Sequence, residues 1–464
     1  MQNKETVQKM NIFTQDYRRG NKRDAKILSN KTRKEEDKMK NLVFLAVALV
    51  LGLSLVSSLY AGEIDLLLEK LVDKGVLTGA EAQQIKYETQ ETVKKEIATG
   101  KYSLLPSWVQ NMKLKGDLRL RYQYHHEKQA GSYEKDTHIG RVRMRLGLET
   151  QVNDKILGGI GIATNSGGDP RSTNLTFGSG THSSKMEIRL DYAYAKYMPF
   201  SWLTLVGGKM LLGDVLWEPS DLIWDTDITP EGGVISLNSN ISENANLFMN
   251  ISVLPQTADS SSDSDPITLY LLQPGVSYKL SENVKLKAAL TYYNFSNTKN
   301  NSYPTSSWYK SSNTKRGSNW AYDYRLFNPA LELSIKEPFK ALGISFLDFE
   351  SLKFFGEYVN NTAADKKNTG LSLGFKLGKD KVEKWGDWQF KYIYAMLGKD
   401  AVLDTIPDSD RYGGRTAIRS HEAALSFGLG KNTSLDFDVY RSWRINGNAE
   451  APETLVQVDW NLKF

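Results

Sequence analysis

Six arginines and five acids carry the most telling chemistry in this 464-residue chain. Arg119 and Arg121 alternate with Leu118, Leu120 and Tyr122. Arg141, Arg143 and Arg145 alternate with Val142, Met144 and Leu146, and Arg189 stands between Ile188 and Leu190. Successive side chains of a strand point to opposite faces, so each run predicts a charged face backed by an apolar one. Asp214, Glu218, Asp221, Asp225 and Asp227 fall together in residues 212–232 (LGDVLWEPSDLIWDTDITPEG), among the apolar anchors Leu216, Trp217, Leu222, Ile223 and Trp224. A loop lying in water has no use for such anchors. Folded against the arginines, it would set negative charge opposite positive across a gap, a device that sorts ions and polar solutes. The competing reading pairs the arginines with Asp117, Glu149, Glu187 and Asp191 across strands, and packs the loop on its own tryptophans.

Other chemistry is poorly served. Gly158-Gly159-Ile160-Gly161 lacks the Lys-Ser/Thr of a phosphate loop, and no helical pattern follows it, so these read as strand glycines. The five histidines (His125, His126, His138, His182 and His421) show no zinc-binding spacing, and the absence of cysteine excludes thiolate sites and disulfides. Asp259, Asp263 and Asp265 could hold calcium, but a solvated loop is the default. Ser420 beside His421 is the sole hint of a hydrolase, and no nucleophile context supports it. No catalytic residue, metal or cofactor is therefore expected. Residues 1–61 contain 12 Lys/Arg and 6 Asp/Glu, which leaves 59 − 12 = 47 basic against 54 − 6 = 48 acidic residues beyond them. A near-neutral remainder gives nucleic-acid binding no electrostatic support.

Strands must position these groups. In the last eleven residues, Thr454 to Phe464, the side chains of Val456, Val458, Trp460, Leu462 and Phe464 share one face, with Leu455, Gln457, Asp459, Asn461 and Lys463 on the other. An exposed face of this kind suits lipid better than water. About sixteen such segments run from Met112–His126 to the closing strand. Short links, such as 153–155, 199–201 and 242–244, alternate with long polar ones, such as 165–184, 296–327 and 398–419. That alternation predicts an up-and-down transmembrane barrel with both ends on the short-turn side. Two links, near 337–350 and 378–387, are long where short ones are expected. Charges on the inner face need water or a partner, so the reading is an open lumen rather than a packed one.

Before the strands, residues 1–38 read as an over-long amino-terminal extension and 39–61 as a cleaved signal peptide, with an apolar run from Leu42 and small residues at Ala61. Residues 62–111 read as a periplasmic helical segment and linker. Gly75 stands at a left-handed C-cap and Thr78 with Glu81 forms a capping box. Residues 112–464 are the barrel.

With signal peptide, short helical segment, sixteen-strand pattern, charged inward loop and terminal Phe464, the chain resembles the bacterial outer-membrane porin superfamily, and within it the "putative porin" families of Gram-negative bacteria. The terminal Trp460, Leu462 and Phe464 resemble the signal by which the barrel-assembly machinery recognises and closes such proteins. The resemblance implies passive diffusion of small hydrophilic solutes and ions, outer-membrane lipid as a partner and a homotrimer. The Pro-Glu-Phe-type loop motif of enteric porins is absent. Alternatives are a cell-wall tether anchored by the barrel, or an outer-membrane hydrolase.

Overall fold

The computed structural model describes Leu68 and residues 70–99, 107–128, 134–165, 168–179, 184–257, 265–306, 308–309, 311–340, 349–445 and 452–464. The readings of 1–38 as an extension and 39–61 as a signal peptide concern residues outside these, as do Asp259, Asp263 and His182. Two compact units divide the chain, Met1–Leu104 and Leu105–Phe464.

In the first unit Gly75 adopts the left-handed conformation (φ 67°), and its N–H donates to Val72 O at 2.9 Å, as a helix C-cap requires. Helix α1 (Gly79–Thr99) then opens on the expected capping box. Thr78 N donates to Glu81 Oε2 at 2.8 Å and Glu81 N to Thr78 Oγ1 at 3.3 Å. The Thr78 N–H holds the Glu81 carboxyl below its ordinary value.

The second unit begins with the short helix α2 (Ser107–Gln110) and continues as sixteen long antiparallel strands. They are β1 (Lys113–Lys128), β2 (Glu134–Asn153), β3 (Ile156–Thr164), β4 (Ile188–Phe200), β5 (Leu203–Lys209), β6 (Glu231–Asn240), β7 (Ala245–Pro255) and β8 (Thr268–Lys279). There follow β9 (Val284–Phe295), β10 (Tyr324–Lys336), β11 (Ser351–Asn361), β12 (Thr369–Gly378), β13 (Trp388–Leu397), β14 (Ile418–Gly430), β15 (Thr433–Arg444) and β16 (Glu453–Lys463). Each pairs with the next, and β16 returns to β1 from Asp117↔Lys463 to His126↔Thr454, so the sheet closes with no free edge. The terminal Phe464 extends the seam by exchanging two hydrogen bonds with Gly116, N to O at 3.0 Å and O to N at 2.8 Å. Its ring lies over Gly116, where a Cβ would approach to 2.3 Å.

The two anomalous links pack on each other. Phe349 meets Phe339 at 5.0 Å and Trp388 at 5.4 Å between ring centres, Lys353 Nζ reaches Asp380 Oδ1 at 3.1 Å, and Lys379 pairs with Glu350. Neighbouring excursions at the turn end thus support one another.

Alternation holds round the ring. Leu120, Ile160, Leu247, Tyr270, Leu331, Leu373, Phe437 and Trp460 face outward and exposed, while Arg121, Gln273, Glu357, Glu422, Gln457 and Asp459 are buried on the inner side. Among the described residues no helix is long and apolar enough to cross a membrane; strands cross differently, each carrying one apolar face.

One strand departs from the expected parity. The spacing predicts Tyr192 and Tyr194 on the outer face with Ile188 and Leu190. A bulge instead leaves Asp191 unpaired between Gly161↔Tyr192 and Ile162↔Leu190. The extra residue reverses the sides beyond it, so Tyr194 turns inward, 6 % exposed, and donates to Glu149 Oε1 at 3.0 Å. Tyr192 covers Gly147 and Gly161, where any Cβ would collide with its ring or hydroxyl. The glycines of β3 therefore seat aromatic rings.

The apolar core sits inside the barrel, on one half of the wall. Leu269, Leu271, Tyr293, Phe295, Leu326 and Val359 project inward from β8 to β11 and are covered by Val215, Leu216, Leu222, Ile223, Trp224, Val402, Leu403 and Ile406 from two loops. The lumen is thus packed along this wall. Inner positions of β8–β11 at this level are mainly apolar, with Gln273 and Glu357 set among them, and loop anchors fill the space beside them.

Candidate functional site: the charged half of the lumen

The β5–β6 loop (210–230) touches strands spaced far apart around the ring. Asp214 Oδ1 accepts from Lys196 Nζ on β4 at 2.6 Å. Trp217 N donates to Gln273 Oε1 on β8 at 2.8 Å, and Gln273 Nε2 donates to Trp217 O at 2.7 Å. Ser220 bonds Glu357 on β11, and Asp227 Oδ1 lies 3.4 Å from Arg145 Nη1 on β2. A closed ring lets one loop reach all four walls only through its interior.

The β13–β14 loop (398–417) meets it there. Asp225 N donates to Ile406 O at 2.7 Å, Ser409 N to Asp225 Oδ2 at 2.8 Å, and Arg411 bridges Asp221 to Glu422 on β14. Asp404 Oδ2 accepts the N–H groups of Ser312 and Asn313 at 2.6 and 2.8 Å, and Asp400 Oδ1 that of Thr314 at 2.7 Å. The β9–β10 loop (296–323) is thereby tied to the same assembly. Three long loops interlock over the apolar half of the lumen and leave polar cavities beside the half lined by β12–β16, β1 and β2.

Five of the expected arginines face this space. Arg121 grips Asp459 through Nε–Oδ1 and Nη2–Oδ2, both 2.7 Å, and lies 3.5 Å from Asp410. Arg119 donates to Asn174 Oδ1 at 2.7 Å and approaches Asp459 to 3.6 Å. Arg143 and Arg145 share Asp117 at 2.9 and 2.7 Å, with Asp227 at 4.0 and 3.4 Å on the other side. Arg141 lines the neighbouring cavity. Arg189 is not brought to them: it is exposed and paired with Glu187, just ahead of β4, at 2.7 Å. Both readings of the arginines are thus partly realised, since Asp117 takes two of them and Asp227 of the loop approaches the same two. Glu149 instead binds Lys115 at 2.6 Å.

The five loop acids occupy different surroundings. Burial pushes Asp225 up to about 8, with Asp227 beside it adding to the effect. Burial acts the same way on Asp227, but Arg143, Arg145 and Arg119 outweigh it and hold that carboxyl low. Asp221 is held low by Arg411 and Lys391 against its burial. Glu218, buried near Glu357, is pushed well above the ordinary range, and neither of its oxygens has a hydrogen-bond partner. Asp214 belongs to Lys196.

Three adjoining cavities of about 380, 350 and 650 Å³ remain: the first two lie against β12–β16, β1 and β2, and the third passes beside the β5–β6 loop to β6–β9. The first two share Arg171, Asn174, Ser409 and Asp410; the last two share Thr226 and Asp227. The middle one also takes Lys376, Lys391, Asp436, Asp438 and Asp459 from the wall. Sequence reading missed four of these. Asp459 was visible on the polar face of the last strand; Lys376, Lys391, Asp436 and Asp438 alternate with Phe375, Phe390 and Phe437 in the same manner. The Ala401-Val402-Leu403 and Ile406 anchors of the β13–β14 loop repeat the signal that marked the β5–β6 loop.

Ser420 and His421 do not form a catalytic pair. Ser420 is buried on the inner side, 2.8 Å from Ser442 Oγ, while His421 bonds Tyr392 OH at 2.6 Å among outward-facing aromatic rings. Among the described residues no group of three His, Asp or Glu side chains is placed to hold a metal ion.

The model of a family described as "Putative porin" matches residues 127–328 and 318–464. No curated protein sequence matches the chain. Among solved structures, the high-pH structure of Pseudomonas putida OprB is similar with a TM-score of 0.52 at 13 % identity, covering 80 % of this chain and 97 % of that one. A triple-mutant porin of Rhodopseudomonas blastica aligns with a TM-score of 0.40 at 12 % identity, over 76 % of this chain and 100 % of that one. The closed sixteen-strand barrel, its outward apolar face and a family match over most of the sequence agree: this chain belongs to the "Putative porin" family and is an outer-membrane channel protein.

Proposed function

We propose that the chain is a passive diffusion channel for small hydrophilic solutes and ions. The observation that carries this reading is the run of adjoining cavities through the lumen, bounded by loops rather than sealed by them. In it Arg119, Arg121, Arg141, Arg143 and Arg145 form the positive side. Asp221 and Asp227 oppose them from the β5–β6 loop, Asp225 joins that loop to Ser409, and Asp214 braces it through Lys196. The loop narrows the passage and gives it a transverse field.

Short turns and both termini lie on the periplasmic side, the helical segment with them, and the long loops face outward from the cell. Trp460, Leu462 and Phe464 present the closing signal to the assembly machinery, residues 39–61 are the cleaved leader, and the barrels associate as trimers. The fold and the family favour a channel over an enzyme.

The test is conductance in planar bilayers. Reconstituted protein should give stepwise currents that scale with salt. Neutralising the five arginines together should move the reversal potential across a salt gradient toward cations. An unmoved potential would remove the arginines from the selectivity mechanism, and silence in the bilayer would remove the channel.

A further inference from the structure

The middle cavity is polarised across its width by groups whose hydrogen-bonding capacity is unused. On β15, Asp436 and Asp438 line it, and Oδ1 of each is buried with no hydrogen-bond partner. On β16, directly opposite Asp438, stands Gln457, 1 % exposed, whose Nε2 likewise has no partner. On β1, Arg119 leans toward Asp459 at 3.6 Å and leaves its Nε unpartnered. Arg121 cannot compensate the acids, being spent on Asp459. Free acceptors thus lie on one strand and free donors on the next two.

Buried polar groups without partners are costly, and a site that keeps both signs open is built for a ligand that supplies both. The spacing says what kind. The register sets Asp438 beside Gln457, one interstrand step of about 5 Å, and Arg119 reaches back along the wall toward Asp459 from its place opposite Asn461. A solute whose ammonium and carboxylate share one carbon presents both groups within one such step, each free for a charge-assisted hydrogen bond. A lone cation would leave Gln457 and Arg119 unmet, and a lone anion would face two carboxylates.

We propose that this cavity, about 350 Å³, binds a zwitterion of the α-amino-acid class. Its ammonium lies on Asp436 and Asp438 and its carboxylate on Arg119 and Gln457. This deepens the channel reading and rests on it for access from solution.

The experiment uses the full chain in two settings: planar bilayers, and calorimetry of the protein in detergent micelles. L-Alanine at neutral pH is compared with propionate, propylammonium and lactamide. L-Alanine should bind and interrupt ion current saturably, at least tenfold tighter than any of the three. The Asp436→Asn, Asp438→Asn double variant should raise its half-saturating concentration at least tenfold. Gln457→Glu, which places a charge at the carboxylate end without emptying the acid pole, should do the same if the double variant does not fold. Equal effects from all four probes, or no saturation with L-alanine, would mean a hydrated lumen only and overturn the proposal. Binding by calorimetry without any conductance would uphold the site and overturn the channel. Conductance without binding would do the reverse.

Discussion

Arg121 and Asp459 meet across the line where the first strand joins the last, through two parallel hydrogen bonds of 2.7 Å between nearly buried side chains. Their Cα atoms are register partners, so the pair reports directly on correct closure of the ring. A bidentate guanidinium–carboxylate contact is directional as well as strong. Deleting one member leaves the other buried with only a longer contact, Arg121 to Asp410 at 3.5 Å or Asp459 to Arg119 at 3.6 Å, a loss below the ~3–5 kcal/mol of a fully orphaned charge. Asp459→Asn should therefore lower the urea midpoint of the lipid-embedded barrel, read by heat-modifiable electrophoretic mobility. The exchanged pair, Arg121→Asp with Asp459→Arg, should recover part of the loss. Equal midpoints for Asp459→Asn and the native chain would show that the seam does not depend on this contact.

Phe464 and Gly116 make the second closure contact, and its geometry is unforgiving. A methyl group at residue 116 would lie 2.3 Å from the Phe464 ring and 3.0 Å from Arg145 O, so the ring must leave its seat. Overpacking of this kind costs about 1–3 kcal/mol. Gly116→Ala should slow or reduce barrel assembly into outer-membrane lipid, and Phe464→Ala in the same chain should relieve the clash while losing the ring's own contact. The check is the interaction energy of the double-mutant cycle. Additive losses would place the two residues out of contact.

The barrel was legible because its signal is redundant: sixteen segments repeat a two-residue period, and every predicted strand overlaps an observed one. What escaped was information that alternation does not carry. The bulge at Asp191 adds one residue to one strand, and nothing local in Arg189-Leu190-Asp191-Tyr192 announces it; only the inward turn of Tyr192 and Tyr194 reveals it. Nor could alternation show that Tyr293 and Phe295 face the lumen, since an aromatic residue satisfies lipid and a packed loop alike. The loop acids were identified, but their individual partners depend on where the chain ends up in space. Asp227 finds Arg145, 82 residues away in sequence, and Asp221 finds Arg411 at 190.

Trp224 should control how firmly the β5–β6 loop holds to the apolar half-wall. It is 1 % exposed within the cluster that joins the two inner loops to the barrel. Replacing a buried tryptophan by alanine removes about 3–5 kcal/mol. Most of that loss falls on loop docking, because the strands keep their closed hydrogen-bonded ladder. Trp224→Ala should thus raise single-channel conductance and its open-state noise while the heat-modifiable transition of the barrel moves little. Unchanged conductance would show that the loop is held elsewhere, by Asp214, Gln273 and the Arg411 bridge.

Asp225 should make the same docking depend on pH, and the sign follows from its burial. Its unfolded carboxyl ionises near 4, as Asp ordinarily does, whereas in the folded loop it does so at about 8. Between these values the folded state retains a proton that the unfolded state has released. The stability tied to this group is complete below about pH 4 and drains away as pH rises toward 8. Asp227, held low by its arginines, works in the other direction, but its contribution is lost only as pH falls through its own depressed value, below the window that concerns Asp225. Loop docking, read from open-state current noise between pH 4 and 8, should therefore show declining stability. Asp225→Asn, which cannot ionise, should flatten that decline without abolishing it, since Glu218 and Asp408 are raised by burial in the same sense. An identical slope in the variant and the native chain would mean that Asp225 is already ionised where it meets Ser409, and that the two inner loops are joined by a charge instead of a proton.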